Sequence, residues 1–338
     1  MKKIILYVTS VFSVLISCDS KSKLPVIHPD VITEKTKNDT DDPAIWVHPD
    51  DPEKSIVFGT DKESNGAIYA FDLDGKIIEE KTIYNVKRPN NVDVTYGFSL
   101  NDSTTIDVLA FTEREKQQIR LYSVPDMKPL DMGGCKVFED ATEPEYNLPM
   151  GIAFYSSPIT KKLYVIVGRK KGPENGYLYQ YELIPTPTGI QTKLVRKFGA
   201  FSGKKEIEAI AVDNELGFIY YSDEQHCIRK YHAEPNVSSE EVNCFGGDLF
   251  ESDIEGIAIV KNHKNSGYLI VSNQQKGEFN IFDRQSNAFV NAVNLSTHET
   301  DGCEATTVSL GSKFPNGMFV AMNDSKEFYF YDLKKVLN

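Results

Sequence analysis

The residues with the greatest capacity for chemistry are acids and bases placed at the ends of short apolar runs. The stretch "NDTDDPAIWVHPDDPEKSIVFGTDKE", Asn38 to Glu63, sets eight carboxylates around two such runs. Carboxylates that close repel one another, so they are either solvated turn residues or are held together by a cation. The arrangement recurs along the chain. Ahead of later apolar runs stand "RPNN" (Arg88, Asn90, Asn91), "KEIE" (Glu206, Glu208), "SDIE" (Asp253, Glu255) and "TDGCE" (Asp301, Glu304). Behind others stand "DKE" (Asp61, Lys62, Glu63), "ERE" (Glu113, Arg114, Glu115), "GRKK" (Arg169, Lys170, Lys171) and "DEQ" (Asp223, Glu224). One acid of this kind is more often a turn former than a ligand; the joint pattern carries more weight. Carboxylates without a matching set of His or Cys are hard-oxygen ligands and select calcium. Lysines and arginines beside them suit phosphate. Together they point to phosphoester hydrolysis, in which bound metals polarise the phosphoryl group and acidify a bridging water that attacks in line.

Other chemistries lack their residues. There is no HExxH, no Cys-x5-Arg and no RHGxRxP, and "GAFSGK" falls one residue short of a phosphate-binding loop. "FDLDGK" follows an apolar run as a hairpin turn does and lacks the length of a calcium-binding EF-hand loop. Cys135, Cys227, Cys244 and Cys303 show no CxxC spacing, which argues against zinc and leaves disulfides open.

The elements that must position these groups are short strands in a repeated order. A first kind reads "AIWVHP", "NVDVTY", "GIAFYS", "AIAVDN", "GIAIVK" and "ATTVSL"; a second reads "SIVFGTD", "DVLAFTE", "LYVIVGR", "FIYYSDE", "YLIVSNQ" and "MFVAMND". A third ends on a ring at Phe71, Tyr122, Tyr181, Tyr231, Phe282 and Tyr331, in steps of 51, 59, 50, 51 and 49 residues. A period near fifty with three or four strands per unit predicts an all-β fold, a six-bladed β-propeller. The last unit lacks an outer strand, and "VIHPDVITEKT" is free to supply one from the N-terminus and close the ring. In such a ring, residues before each first strand and after each second strand meet at one mouth of the central channel.

The N-terminal residues read as a lipoprotein signal peptide over 1–17: "MKK", an apolar stretch, then "LISC". Cleavage before Cys18 and lipid on its sulfur would leave an anchored linker over 18–24 and the propeller over 25–338, in the envelope of a bacterium. Losing Lys2 and Lys3 takes the formal charge from −12 to −14, which disfavours nucleic acid and anionic membrane surfaces. The expected state is a monomer that meets the membrane only through its anchor.

From Asp39 to Asp324 the order of "DTDDPAIWVHPDDPEKSIVFGTDK", "NNVDVTYGF", "YLYQYEL", "IEAIAVDNELGFIYYSDE", "RKYHAEP", "DIEGIAI", "GYLIVSNQ", "IFDRQ" and "FPNGMFVA" resembles the β-propeller phytases. These are calcium-dependent enzymes that remove phosphate from phytate, inositol hexakisphosphate. The resemblance implies calcium-site roles for Asp41 and Asp42, Asp42 being the stronger candidate, and for Glu208, Glu224, Asp253, Glu255 and Asp301. It implies that Lys62 binds phosphate, that Arg114 steadies the scissile phosphate, and that Arg169 takes the role of a lysine. Lys62, Arg114, Glu208 and Glu224 are thus the expected catalytic groups. Lys62, Arg88, Arg114, Arg169 and Lys170 are the expected substrate-binding groups. The sequence departs from the family pattern at Glu63, Met150 and Lys170 and in "IEA". Two rival readings are a non-catalytic calcium-binding propeller that serves as an interaction module and a metal-dependent lactonase; lactone hydrolysis gives no reason for a basic arc around the metal.

Overall fold

Each repeat becomes one four-stranded antiparallel sheet, and the computed structural model, which describes residues 22–338, sets six of them around an axis. Blade 1 runs Thr40–Trp46, Ile56–Asp61, Gly66–Phe71 and Ile83–Val86 from the axis outward. Blade 2 is Pro89–Asn101, Thr104–Glu113, Gln118–Val124 and Cys135–Lys136; blade 3 is Pro149–Ser156, Leu163–Arg169, Asn175–Thr186 and Gly189–Ala200. Blade 4 is Ile210–Asp213, Phe218–Asp223, Cys227–His232 and Glu241–Phe245; blade 5 is Ile254–Lys261, Gly267–Asn273, Glu278–Asp283 and Phe289–Val293. Blade 6 takes Cys303–Thr306, Met318–Asn323 and Glu327–Asp332 from the C-terminus and its outer strand, Val31–Ile32, from the N-terminus. Val31 pairs with Phe330 and Ile32 with Tyr329, so the N-terminal segment covers the edge left open by the last repeat. The expected signal peptide and Cys18 lie outside the described residues.

Alternation places one face of each blade against the next, and the core lies between blades. Val57, Tyr69 and Phe71 of blade 1 pack on Val320, Phe328 and Phe330 of blade 6. Gly59 makes room there, since a Cβ on it would come within 2.2 Å of the Phe328 ring. Blades 4 and 5 are tied by a buried pair: Arg284 donates to both carboxylate oxygens of Asp213, each at 2.6 Å. Cys227 and Cys244, on adjacent strands of blade 4, form a disulfide, while Cys135 and Cys303 are buried thiols.

One irregularity positions the site. The ladder between first and second strands slips by a residue between Thr40 and Pro43, Pro89 and Val92, Pro149 and Ile152, and Ile254 and Ile257. A bulge puts two residues opposite one and re-aims both. The first bulge residue is Asp41, Asn90, Met150 or Glu255, and the second is Asp42, Asn91, Gly151 or Gly256. Backbone pairing puts Glu208 and Ala209 of blade 4, and Asp301 and Gly302 of blade 6, at the matching places, because Ser222 N–H donates to Ala209 O and Met322 N–H to Gly302 O. The second position lies where first strands crowd the axis. A Cβ on Gly151 would meet Glu208 O at 2.0 Å, and one on Gly302 would meet Asp42 at 2.5 Å.

Candidate active site

The bulges gather an inner ring of six side chains at the mouth: Asp41, Asn90, Met150, Glu208, Glu255 and Asp301. The residue just past each second strand forms an outer ring beside it: Lys62, Arg114, Lys170, Glu224, Gln274 and Asp324. The outer residues are brought back to the mouth by matching backbone bonds, such as Lys62 N–H to Asp39 O, Arg114 N–H to Arg88 O and Glu224 N–H to Glu206 O. Blades 1 to 3 contribute bases to the outer ring, and blades 1, 4, 5 and 6 contribute acids to the inner one.

The rings are joined across the mouth. The Asn90 amide donates to Asp41 at 3.0 Å and to Glu208 at 2.9 Å, a bridge spanning blades 1, 2 and 4. The Lys62 ammonium is bonded to Asp301 and lies 3.7 Å from Asp41; Gln274 donates to Asp301 at 2.6 Å. Lys170 pairs with Glu206. One oxygen each from Glu206, Glu208 and Glu224 lies within 4.8 Å of the others, and the same is true of Glu224, Asp253 and Glu255.

Electrostatics follow from this crowding. Burial raises the Asp41 and Glu255 carboxyls well above their usual range, and neighbouring acids add to it. Glu224 is pushed up to about 8 by burial, Lys205 opposing and Glu208 and Glu206 reinforcing; Asp301 is pushed up to about 6 by burial, against the pull of Lys62. Lys62 is raised despite its burial because Asp41, Asp301 and Glu208 surround it.

The polar atoms left without a partner test whether a cation fits. At the mouth, Asp41 Oδ1, Asn90 Oδ1, Glu224 Oε1 and Glu255 Oε2 are buried and accept no hydrogen bond, whereas Arg114 Nε is a buried donor without an acceptor. Buried polar atoms normally find partners. Hard oxygen acceptors lacking donors fit a calcium ion, and a guanidinium lacking an acceptor fits an anion.

Two of the expected site residues stand away from the basin. Asp42 is the second bulge residue and faces down the channel, away from Asp41: its carboxylate accepts Val92 N–H at 3.0 Å, and Glu304 and Asp93 are its charged neighbours. Asp41 is therefore the blade 1 acid of the basin. Arg169 occupies the last position of its second strand, where Asp61, Glu113, Asp223, Asn273 and Asn323 stand in the other blades. It turns inward and, 2% exposed, donates to Tyr177 O at 2.8 Å, Gly176 O at 3.1 Å and Tyr146 O at 3.3 Å. Its guanidinium also lies over the Phe138 and Tyr179 rings, 4.2 and 4.4 Å from their centroids. Lys170, one residue on, is the basic group that blade 3 presents. Arg169→Met should cost about 3 kcal/mol in urea unfolding, from three charged hydrogen bonds and two ring contacts, and leave KM for a phosphoester unchanged. A KM increase at full stability would return Arg169 to substrate binding.

Arg88 is half-buried behind Arg114, its carbonyl accepting the Arg114 N–H. Asp253 reaches the basin, but its carboxylate already accepts Lys205 at 2.5 Å, Gln275 at 2.7 Å, Ser252 at 3.0 Å and Gln225 at 3.1 Å. Sequence reasoning singles out neither Lys205 nor the bridging role of Asn90. Lys205 is one more lysine in "GKKEIE", and nothing in its spacing marks it.

Beneath the basin, Asp42, Asp93 and Glu304 line a 460 Å³ channel along the axis. Burial lifts Asp93 to about 6 and Glu304 to about 8. In the unfolded chain both ionise near 4. Between about pH 4 and 8 the fold therefore holds protons that the unfolded chain has released, and their contribution, whole below that window, is lost as pH rises through it. Glu304→Gln should flatten the decline of unfolding free energy, read from urea melts, between about pH 6 and 8 by an amount on the order of 1 kcal/mol, water in the channel screening the rest. A slope equal to wild type would place its source elsewhere.

Comparison with known proteins identifies a family. The family model described as "Phytase" matches residues 4–328. A curated relative, the "3-phytase" of Bacillus subtilis (strain 168), is 34% identical over 299 residues, covering 84% of this chain and 74% of its own length.

Proposed function

The chain belongs to the phytase family of phosphoric monoester hydrolases, and from that premise we propose that it releases phosphate from phytate or a related phosphoester in a calcium-dependent reaction at the channel mouth. The observation that carries this reading is the division of unpartnered buried atoms: oxygens without donors on the acidic side of the basin, and the Arg114 donor without an acceptor on the basic side.

Asp41, Glu208 and Asp301 of the inner ring, with Glu224 and Glu255, are the groups that would hold calcium. Bound there, calcium would neutralise phosphoryl oxygens and acidify a water for in-line attack. The chain's own residues supply the remainder. Arg114 faces the inner ring with its Nε unspent and would grip two phosphoryl oxygens. Lys62 stands at the boundary between acids and bases and would pass from its carboxylate partners to substrate oxygen. Lys170 and Arg88 extend the basic arc, which suits a substrate with several phosphates. Asn90 keeps Glu208 and Asp41 in fixed relation through its two hydrogen bonds, so the acids need not reorganise when charge develops.

The proposed setting is the cell envelope, on a lipid anchor at Cys18. The Cys227–Cys244 disulfide supports it, because such bonds persist in oxidising compartments. The test of the activity is phosphate release from phytate by the mature protein with calcium, followed by excess chelator. Release that stops with chelator and returns with calcium is expected. Release unaffected by chelator would remove the metal, and calcium binding without release from any phosphoester would favour an interaction module.

A further inference from the structure

The side of the basin formed by blades 4 and 5 already contains a cation belonging to the protein. The chain enters blade 4 through "SGKKEIEA", Ser202 to Ala209. From there the Lys205 ammonium reaches 2.8 Å from Glu224 Oε2 and 2.5 Å from Asp253 Oδ2. The side chain is 36% exposed and its two partners 0% and 9%, so the charge lies at the buried end of a stem running in from the surface. Glu255 completes the set, with one oxygen of each acid within 4.8 Å of the others.

Two further facts favour an ammonium over a metal at this point. Asp253 is surrounded by donors: the amides of Gln225 and Gln275 and the hydroxyl of Ser252 take up the lone pairs that Lys205 leaves. A divalent ion would need the two amides turned to present their oxygens, since calcium takes six to eight oxygen ligands. An ammonium 2.5 to 2.8 Å from two of the oxygens also takes the space and the field that an ion would use. On the opposite side the Lys62 ammonium is bonded to Asp301 and stands back from Asp41 at 3.7 Å, Asn90 is the neutral donor between Asp41 and Glu208, and Asp41 Oδ1 is left unpartnered.

We infer that Lys205 is a resident cation that replaces one divalent ion between Glu224 and Asp253, so that this chain assembles its basin with one metal fewer than its carboxylates would otherwise hold. Calcium is then taken up by the remaining acids, an inference that rests on the calcium reading above. Lys205 is a positioning residue: it neutralises and fixes Glu224, and does not touch the reacting phosphate.

The test counts ions rather than turnover. Purified wild type, Lys205→Ser and Lys205→Gln are dialysed to equilibrium against saturating calcium and the bound metal is measured by atomic emission. Both variants are refolded in calcium if they do not fold without it. One additional calcium per chain in the two variants, with Lys205→Arg matching wild type, is the expected result. Equal stoichiometry in all four overturns the replacement and leaves the calcium reading of the basin intact. No calcium on wild type but one on Lys205→Ser would keep the replacement and remove the calcium dependence of the native protein. No calcium on any of them ends both.

Discussion

Glu255→Gln melts at a higher temperature than wild type in chelator and gains little from calcium, a reversal in sign that follows from the inner ring. Without metal, Glu255 is buried beside Glu224, Glu208 and Asp301, and the fold tolerates it by raising its pKa. Folding therefore works against ionisation at neutral pH, and a neutral amide of the same shape removes that cost. With calcium the balance inverts, since the same crowd of oxygens is what the ion binds. Removing one carboxylate should weaken calcium binding at least ~10- to 100-fold, the size seen even for indirect partners of metal ligands. Thermal melts of both proteins, each in chelator and in calcium, give four numbers whose cross-difference is the result. A variant less stable than wild type in chelator, with the full calcium increment, would show that Glu255 is a structural acid and no ligand.

Arg114→Ala should lower kcat/KM for phosphate release by about 10²- to 10³-fold, the usual cost of removing one group aimed at developing charge. The substitution leaves little else exposed to loss. The guanidinium lies against the Met150 sulfur, a weak acceptor, and its Nε has no partner, so few protein hydrogen bonds disappear with it. Arg114→Lys should recover only part of the activity, because an ammonium cannot form the paired bonds of a guanidinium. Steady-state kinetics with phytate and with a simple monophosphate ester, alongside a urea melt, separate the outcomes. Wild-type kinetics in a folded Arg114→Ala would remove Arg114 from the reaction and, with it, the basic half of the proposed site.

Both expectations depend on neighbours that the chain places far apart, and the repeats made most of them legible. The aromatic ends of the third strands fixed the number of blades, and polar clusters flanking the strands marked which residues would meet. Closure by Val31–Ile32 was also readable, since the last unit lacks an outer strand and an unassigned β-prone segment precedes the first. What the pattern did not give was facing within a pair. "DD" offers Asp41 and Asp42 equally, and "RK" offers Arg169 and Lys170 equally, because adjacent residues in a strand differ only in which side they take.

The sequence by itself determined the architecture, the mouth at which acids and bases collect, and the hard-oxygen and phosphate chemistry those residue types allow. Periodicity and residue identity are properties of the linear chain. Only the tertiary structure decided that Asp41 faces the basin and Asp42 the channel, that Arg169 is spent on backbone carbonyls while Lys170 is presented, and that Lys205 is inserted between two acids. A bulge shifts strand alternation by one residue, and a long flexible side chain takes its partner from whatever blade stands opposite. Neither is encoded in local spacing, so both were settled only when the ring closed.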